Sequence, residues 1–351
     1  MDWFERVTGF PEEAYEATRS RLRMEDGRLL NETDGTSHAV GELELPSLAD
    51  LRTRTSGISG SGLLRLGVLE GDVRRLHANP DNEGATFQVA SQFNLLEMVG
   101  PGVTPEDGVT RYIHDRTQGP ACAIAAGAGT IWRNYLAPVG DQTGQTADRQ
   151  IDGLADLGAA LMQGMGSATP LWRMRNGYAL PDRDRLSEVE AYIAALDEVG
   201  RDALRARLRV GVHRDVGVTE PGAAPDARVT QVYASALPVA YSGIRADRWS
   251  GLGALVLQAA YEATLHAAVL NAARGGSRRV LLTRLGGGAF GNDERWITSS
   301  ILRALSLFRG HDLEVLMVSY GAPSREIREV EVAWGEKAYK TGEFNERRYR
   351  K

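Results

Sequence analysis

Residues 279–320 read RVLLTRLGGGAFGNDERWITSSILRALSLFRGHDLEVLMVSY, and this stretch decides the fold. The apolar run at 279–285 predicts a strand, and a glycine loop at 286–292 follows it. Asp293 then stands where a helix cap belongs, ahead of apolar residues at helical spacing. A second buried strand is predicted at 313–320. Strand, helix and strand in this order are typical of right-handed crossovers in a parallel sheet.

The rest of the chain extends the same pattern. Four segments predict further core elements: a strand at 229–237, a long apolar helix at 249–273, and strands at 63–70 and 85–91. A helix is also predicted to open at 118–126, with Pro120 at an early helical position that tolerates it. Ligands of parallel sheets bind beyond the carboxyl ends of the strands. We therefore expect ligand contacts in the segments that follow these strands, 238–243, 286–292 and 321–323.

Composition bounds the class of protein. The chain has 351 residues, of which 42% are apolar and 25% charged, which excludes a disordered or collagen-like protein. The single cysteine, Cys122, forms neither an internal disulfide nor a multi-thiolate metal site. No apolar run approaches the ~20 residues of a membrane span, and the amino end lacks the pattern of a secretion signal. A net charge of −5 argues against non-specific nucleic-acid coating. We expect a cytoplasmic protein that does not contact a membrane.

Changes in composition and residue pattern along the chain suggest how it is organised. Residues 1–62 predict a β-containing amino-terminal cap, and 63–334 a core interrupted by an insertion at 138–227. Within the insertion we predict a helix at 186–208. Residues 335–351, with interleaved Lys, Arg and Glu, predict a charged carboxyl-terminal tail.

Two glycine-containing helix starts could hold a phosphate group. In the loop at 286–292, backbone amides without bulky side chains can approach an anion closely, and the following helix would add its positive end. The helix start at 117–121 offers a second set of amides. The alternative is that both are only tight turns. Neither has the Lys-Ser/Thr of a nucleotide triphosphatase loop or the spaced glycines of a dinucleotide fingerprint, which disfavours a kinase or a hydride-transfer enzyme.

The order of these motifs resembles the macrodomain family of ADP-ribose binders and hydrolases. Gly71-Asp72-Val73 after the first strand is similar to that family's Gly-Asp-Ile, and the strand running to Asn94 is similar to its next element. Residues 118–126 look like the glycine loop that opens an alanine-rich helix, and 285–292 like the later Gly-x-Tyr/Phe-Gly loop. The Gln-Glu-Glu run of the poly(ADP-ribose) glycohydrolase branch is not found in the sequence.

The resemblance implies a three-layer α/β/α core and assigns roles to these positions. Asp72 would bind the adenine amino group, Asn94 would hold the distal ribose, and Phe290 would lie against that ribose. The amides of 119–122 and 287–291 would hold the diphosphate. The ligand set that the resemblance implies is Asp72, Val73, Asn94, Gln118, Gly119, Ala121, Cys122, Gly286, Gly287, Gly288, Ala289, Phe290, Gly291 and Asn292. No cofactor is implied.

Carboxylates flank the expected ribose end of this ligand. Cleavage of a glycosidic bond to ribose passes through an oxocarbenium-like state, which a carboxylate can stabilise while a positioned water attacks. Asp115 is the preferred group to orient that water, and Glu97 is the second candidate, with Asn94 beside them. The alternatives are that Asp115 caps the following helix and that Glu97 is a surface helix residue. A nucleophilic pair of Cys122 and His114 is a further alternative.

These observations predict a protein that binds ADP-ribose or an ADP-ribosyl group and hydrolyses its linkage to a protein, a nucleic acid or a small molecule. Nucleic acid would enter only as a modified substrate. A reader that binds such a nucleotide without turnover is the leading alternative. A third interpretation is an interaction protein whose glycine loops bind no nucleotide. The histidines show no paired ligand spacing, so no metal site is predicted.

Overall fold

A seven-stranded sheet organises the computed structural model, which describes residues 1–60 and 62–340. The strands are β1 (Met24–Glu25), β2 (Arg28–Leu30), β3 (Ser37–Ala39), β4 (Glu42–Glu44), β5 (Arg65–Glu70), β6 (Thr86–Ala90), β7 (Pro138–Val139), β8 (Gln142–Thr143), β9 (Arg173–Arg175), β10 (Tyr178–Leu180), β11 (Gly211–Gly217), β12 (Arg228–Ala234), β13 (Arg279–Leu282) and β14 (Glu314–Ser319). The helices are α1 (Trp3–Thr8), α2 (Tyr15–Arg21), α3 (Leu48–Thr55), α4 (Val73–Ala78), α5 (Gln118–Ala125), α6 (Gly127–Tyr135), α7 (Ala155–Met165), α8 (Arg183–Ala195), α9 (Glu198–Arg205), α10 (Ser250–Ala273), α11 (Glu294–Leu307) and α12 (Arg325–Lys340).

The main sheet is mixed and largely parallel. Its strand order is β4-β11-β12-β6-β13-β14-β5. The five strands from β12 to β5 run parallel, and β11 runs antiparallel to both of its neighbours. The strands predicted at 63–70, 85–91, 229–237, 279–285 and 313–320 are all confirmed and form this parallel part.

Helices cover both faces of the sheet. Side chains alternate between the two faces along each strand, so each face packs its apolar side chains against a helix layer. Phe87, Tyr233 and Leu281 belong to one buried cluster with α4 and α5, whereas Val232 and Leu282 belong to another with α10. The predicted three-layer α/β/α architecture is confirmed.

Helix α10 is the buried helix that the sequence predicted at 249–273. It packs against β6, β12 and β13 and is enclosed by α3, α8, α9 and α11. The segment Ala246–Ala273 is long and apolar enough to cross a membrane, but 83% of its most apolar window is buried inside the protein. It is therefore accounted for as a core helix. Its Glu262 is 4% exposed and accepts hydrogen bonds from Arg52 at 2.6 Å and Arg303 at 2.5 Å.

The main sheet includes strands from both segments that were predicted from the sequence to lie outside the core. Strand β4, from the expected cap, and β11, from the expected insertion, are both strands of it. Strand β11 escaped prediction because a bulge between His213 and Val216 breaks its alternation, with Asp215 in a left-handed conformation at φ 53°. The helix predicted at 186–208 is two helices, because Asp197 caps α9 by accepting from the Gly200 N–H.

At the carboxyl end, α12 continues past the predicted start of the tail at Gly335 to Lys340. The remainder of the predicted tail, 341–351, lies outside the described residues, as does Ser61.

Candidate functional site

A cleft of about 310 Å³ opens at the carboxyl ends of β6, β12 and β13. After β6 the chain passes to α5 on one face of the sheet, and after β13 it passes to α11 on the other. Neighbouring strands whose connections diverge in this way leave a crevice between them. The residues that line the cleft are Ala90, Ser91, Gln92, Glu97, Met98, Val99, Asp115, Thr117, Gln118, Gly119, Pro120, Tyr178, Ala236, Tyr241, Thr283, Arg284, Leu285, Gly286, Gly288, Ala289 and Phe290.

Half of the sequence-predicted site residues lie in this cleft. They are Glu97, Asp115, Gln118, Gly119, Gly286, Gly288, Ala289 and Phe290. Of the three segments expected to contact a ligand, the loop at 286–292 and the segment 238–243 contribute lining residues, and 321–323 contributes none.

Glu97 is a buried carboxyl group that faces the cleft. Its side chain is 2% exposed, and among the described residues no hydrogen-bond partner reaches its Oε1 atom. Burial raises the pKa of Glu97 well above its ordinary value, a rise that Arg133 opposes and Asp115 adds to. A carboxyl group in such surroundings favours its protonated form and can act as a proton donor. The alternative of a surface helix residue is wrong for Glu97.

Asp115 is the second carboxyl group of the cleft. It precedes α5, and its Oδ1 accepts a hydrogen bond from the Thr117 N–H at 2.8 Å, which orders the entry to the helix. Its side chain is only partly buried, in contrast to Glu97. Two carboxyl groups in such different surroundings are suited to different roles in acid–base chemistry.

The amino end of α5 is fixed to β6 by a side chain and a close contact. Gln118 donates from Nε2 to the Gln88 carbonyl at 2.8 Å and accepts at Oε1 from the Ala90 N–H at 2.9 Å. The side-chain amide of Gln118 is therefore occupied within the protein, although the residue lines the cleft. At Gly119, a Cβ atom would collide with the Ala90 carbonyl oxygen and with Glu97 Oε2. Only glycine allows the amino end of α5 to lie this close to β6 and to the Glu97 carboxyl group.

The glycine loop after β13 lines the cleft. It turns at Gly286, whose φ is 78°, and its Asn292 N–H donates to the Gly286 carbonyl at 3.0 Å. The N–H groups of Gly288, Ala289 and Phe290 have no acceptor among the described residues. These three amides are available to an anion.

The positive end of α11 is not available in the same way, which corrects the sequence-based expectation. Asp293 caps α11 by accepting from the Arg295 N–H at 2.8 Å, and Glu294 adds a second carboxylate in the first turn. These charges already complement the helix dipole. Any anion bound at this loop would therefore contact the loop amides rather than the end of α11.

Arg284 supplies a positive charge at the glycine loop. Its guanidinium forms an ion pair with Glu294 and donates to Ser324 Oγ at 3.4 Å, while its Nε is buried without a partner in the described part of the chain. An incoming phosphate group would compete with Glu294 for this side chain, which binds phosphate oxygens in forked geometry.

Three aromatic rings form an apolar wall of the cleft. Phe290 lies 5.4 Å from Tyr178 and 5.7 Å from Tyr241 between ring centroids, and the two tyrosines are 5.0 Å apart. The Tyr178 hydroxyl donates to the Met98 carbonyl at 2.6 Å, so this tyrosine from the β9–β10 hairpin is fixed in place. The segment at 138–227 therefore contributes to the site.

Asn94 and Asp72 lie outside the cleft, and their expected ligand contacts are corrected. Asn94 is fully buried, donates to Gln150 Oε1 at 2.8 Å and accepts from the Leu96 N–H at 3.1 Å, so its amide is occupied within the protein. Asp72 caps α4 by accepting from the Arg74 N–H, and Val73 is buried in the core. Both residues have structural roles in this arrangement.

The remaining predicted residues are not among those that line the cleft. They are Ala121, Cys122, Gly287, Gly291 and Asn292. Cys122 is fully buried and accepts from Gln118 Nε2 at 3.1 Å, and burial raises the pKa of its thiol, which opposes thiolate chemistry. Asn292 Nδ2 donates to the Leu237 carbonyl at 2.8 Å and so joins the glycine loop to the segment after β12.

Sequence reasoning missed Arg284, Tyr178 and Tyr241. Arg284 immediately precedes the glycine loop at the end of a predicted strand, a position that could have identified it. Tyr241 lies in the expected segment 238–243, but Tyr178 comes from a distant hairpin and carries no local signal. Within residues 1–60 and 62–340, no group of three or more His, Cys, Asp or Glu side chains could hold a metal ion.

No protein-family model and no curated protein matches the chain. Among solved structures, the chain is similar to poly(ADP-ribose) glycohydrolase from Thermomonospora curvata, with 15% identity, a TM-score of 0.41, and 88% of this chain and 93% of that chain covered. It is also similar to poly(ADP-ribose) glycohydrolase from Deinococcus radiodurans in complex with ADP-ribose, with 13% identity, a TM-score of 0.42, and 85% and 94% covered.

Proposed function

We propose that this protein binds ADP-ribose or an ADP-ribosyl group in the cleft and hydrolyses its linkage to a protein, a nucleic acid or a small molecule. The observation that carries the proposal is that one cleft joins unpaired loop amides to a buried carboxyl group. The amides and Arg284 match a diphosphate, and Glu97 matches a proton donor for a glycosidic oxygen or nitrogen.

The phosphate part of the ligand would bind at the glycine loop. The N–H groups of Gly288, Ala289 and Phe290 point to no protein acceptor in the described residues, and Arg284 stands beside them. A diphosphate would draw Arg284 from its pair with Glu294, so part of the electrostatic gain offsets the loss of that pair. The apolar wall at Phe290 would then lie against the sugar.

The two carboxyl groups would divide the chemistry. Protonated Glu97 would donate its proton to the leaving atom as the bond to ribose C1 breaks, and Asp115 would orient the attacking water and accept its proton. The oxocarbenium-like charge that develops on the ribose would be stabilised by the Asp115 carboxylate and by the diphosphate of the substrate. The product is free ADP-ribose together with the unmodified acceptor.

Calorimetric titration with ADP-ribose, with AMP as the comparison, tests the binding half of the proposal. We expect ADP-ribose to bind and AMP to bind more weakly, since AMP lacks the diphosphate and the distal ribose. The change Gly288→Glu should abolish binding, because it introduces a negative charge beside the free amides, where a Cβ meets no other atom within 4 Å. Absence of heat with ADP-ribose would refute the proposal.

Incubation with ADP-ribosylated protein and nucleic acid tests turnover. Glu97→Gln should lower kcat by about 10²–10⁴-fold, the usual contribution of a general acid, while the affinity for ADP-ribose is retained. Glu70→Gln is the matched control, since Glu70 is an exposed carboxylate at the end of β5 on the same edge of the sheet. Equal losses in both variants would contradict the role of Glu97.

Binding without turnover is the second candidate function, and one observation favours it. Only 2% of Glu97 is exposed, so little of its carboxyl group is open to a ligand. A protein that only binds ADP-ribose would keep its affinity after the change Glu97→Gln and would release no ADP-ribose from any substrate, with or without that change. The turnover assay separates the two functions.

A further inference from the structure

Arg133 is an arginine in the protein interior, on α6 behind the turn that carries Glu97. Its exposed fraction is 0%. Its Nε donates to the Leu95 carbonyl at 3.1 Å, and its Nη2 donates to Thr130 Oγ1 at 3.0 Å. Its Nη1 lies 3.2 Å from His213 Nδ1, and its guanidinium carbon lies 3.9 Å from the centre of the Tyr233 ring.

All four of these partners are uncharged. Burial lowers the pKa of His213 to about 3, with the charge of Arg133 adding to the effect, so the imidazole stays neutral and accepts at Nδ1. In the described part of the chain, Arg133 forms no ion pair with a carboxylate. Burial of a charge without an anionic partner is costly in free energy.

The turn that Arg133 holds is strained and belongs to the site. Leu95 has φ 63°, a left-handed conformation that is uncommon for a side chain of this kind. Its N–H donates to the Gln92 carbonyl at 3.0 Å, and its own carbonyl accepts from Arg133. Two residues later the chain presents Glu97 to the cleft, where the Glu97 N–H donates to the Tyr112 hydroxyl at 3.0 Å. Arg133 therefore holds the backbone from which this carboxyl group is aimed.

We infer that Arg133 is a positioning residue for Glu97: it fixes the strained turn through the Leu95 carbonyl and supplies the positive charge that allows the buried Glu97 carboxyl group to release and regain its proton. The catalytic part of this inference rests on the proposed function. The electrostatic part concerns the free protein and can be measured without substrate.

Among the described residues, Arg133 is the positively charged group whose charge acts on Glu97. The other titratable groups are Asp115 before α5, Cys122 on α5, Tyr112 in the turn Thr110–His114, Tyr178 on β10 and Tyr233 on β12. Burial raises the pKa of the thiol and of each tyrosine, so these four are neutral near pH 7. The positive charge of Arg133 thus lowers the pKa of Glu97, and the negative charge of Asp115 raises it.

The test follows the Glu97 carboxyl group directly, by ¹³C NMR of protein labelled at the glutamate carboxyl carbons. Glu97→Gln assigns the signal by removing it. Arg133→Gln keeps a donor for the Leu95 carbonyl but removes the charge, and Arg133→Lys keeps the charge. We expect the titration midpoint of Glu97 to rise by at least about one pH unit in Arg133→Gln and to stay near the wild-type value in Arg133→Lys. Should Arg133→Gln not fold, Arg133→Met is the second uncharged variant.

An unchanged midpoint in the uncharged variant, or an equal shift in Arg133→Lys, would overturn the inference, since a purely structural arginine does not distinguish the two changes by charge. Arg111→Met, which removes a partly exposed arginine from the neighbouring turn, should leave the midpoint unchanged. In turnover assays, the fall in rate at high pH should move to higher pH in Arg133→Gln, because Glu97 then stays protonated longer. A wild-type protein without turnover would refute the proposed function while leaving the NMR result to decide this inference.

Discussion

Replacing Gly119 by alanine tests whether the amino end of α5 and Glu97 share the space that the structure describes. Helix propensity alone favours this change, because alanine stabilises a helix interior by up to about 1 kcal/mol relative to glycine. The structure predicts the opposite sign. The added Cβ would meet the Ala90 carbonyl oxygen and Glu97 Oε2, and the first of these belongs to the backbone of β6 and cannot rotate away.

The size of the effect follows from these contacts. Overpacking of a close-packed interior costs about 1–3 kcal/mol, and a contact with rigid backbone lies towards the upper end. After the gain in propensity is subtracted, the free energy of unfolding should fall by about 1–2 kcal/mol. The matched control is Gly288→Ala, because a Cβ at Gly288 meets nothing within 4 Å and Gly288 has no positive φ. That change should be neutral or stabilise by about 0.4–1 kcal/mol through the unfolded chain.

Chemical denaturation of both variants, with ADP-ribose titration as the second readout, measures these effects. Gly119→Ala should also impair turnover, because the Glu97 carboxyl group must move. Equal stability of Gly119→Ala and the wild type would refute the packing of α5 against β6, and with it the placement of Glu97.

Three further predictions concern charge. Burial lowers the pKa of His77 to about 4 from an unfolded value near 6.5, so unfolding takes up a proton between these two pH values. The free energy of unfolding, measured by denaturation, should therefore fall by about 3 kcal/mol as the pH drops from about 6.5 to about 4. The fall should be smaller in His77→Gln. Arg284→Ala should weaken ADP-ribose binding by about 10–100-fold in calorimetry, the contribution of a charged hydrogen bond. Arg52→Ala should lower the free energy of unfolding by about 3 kcal/mol, because it removes a partner of buried Glu262, whereas Arg54→Ala on the same helix breaks a surface pair and should cost under about 1 kcal/mol.

Much of the parallel sheet could be predicted because its signals are local. The runs at 229–237 and 279–285 are apolar and β-branched, and Asp293 and the glycines around it mark where a helix begins. Strand β11 could not be predicted in the same way. Its bulge between His213 and Val216 breaks the alternation, and pairing with β12 and β4 overrides the local pattern.

In the candidate site too, some residues could be predicted from local signals and others could not. Gly288 and Phe290 were found because a glycine loop after a strand is a local signature of backbone amides left open. Asn94 was misplaced because an asparagine at the end of a strand can equally face a ligand or bond within the protein, and here Gln150 and the Leu96 N–H occupy its amide.

Local sequence patterns were sufficient to predict the class of fold and the edge of the sheet at which the cleft opens, because hydrophobic periodicity and helix caps act over a few residues. The identity of the carboxyl group buried at that edge, and of the arginine that holds the turn before it, follows from long-range packing. The surroundings of Glu97 are set by α5, α6 and the β9–β10 hairpin, which are distant in sequence. Burial and charge depend on such neighbours, and no local pattern encodes them.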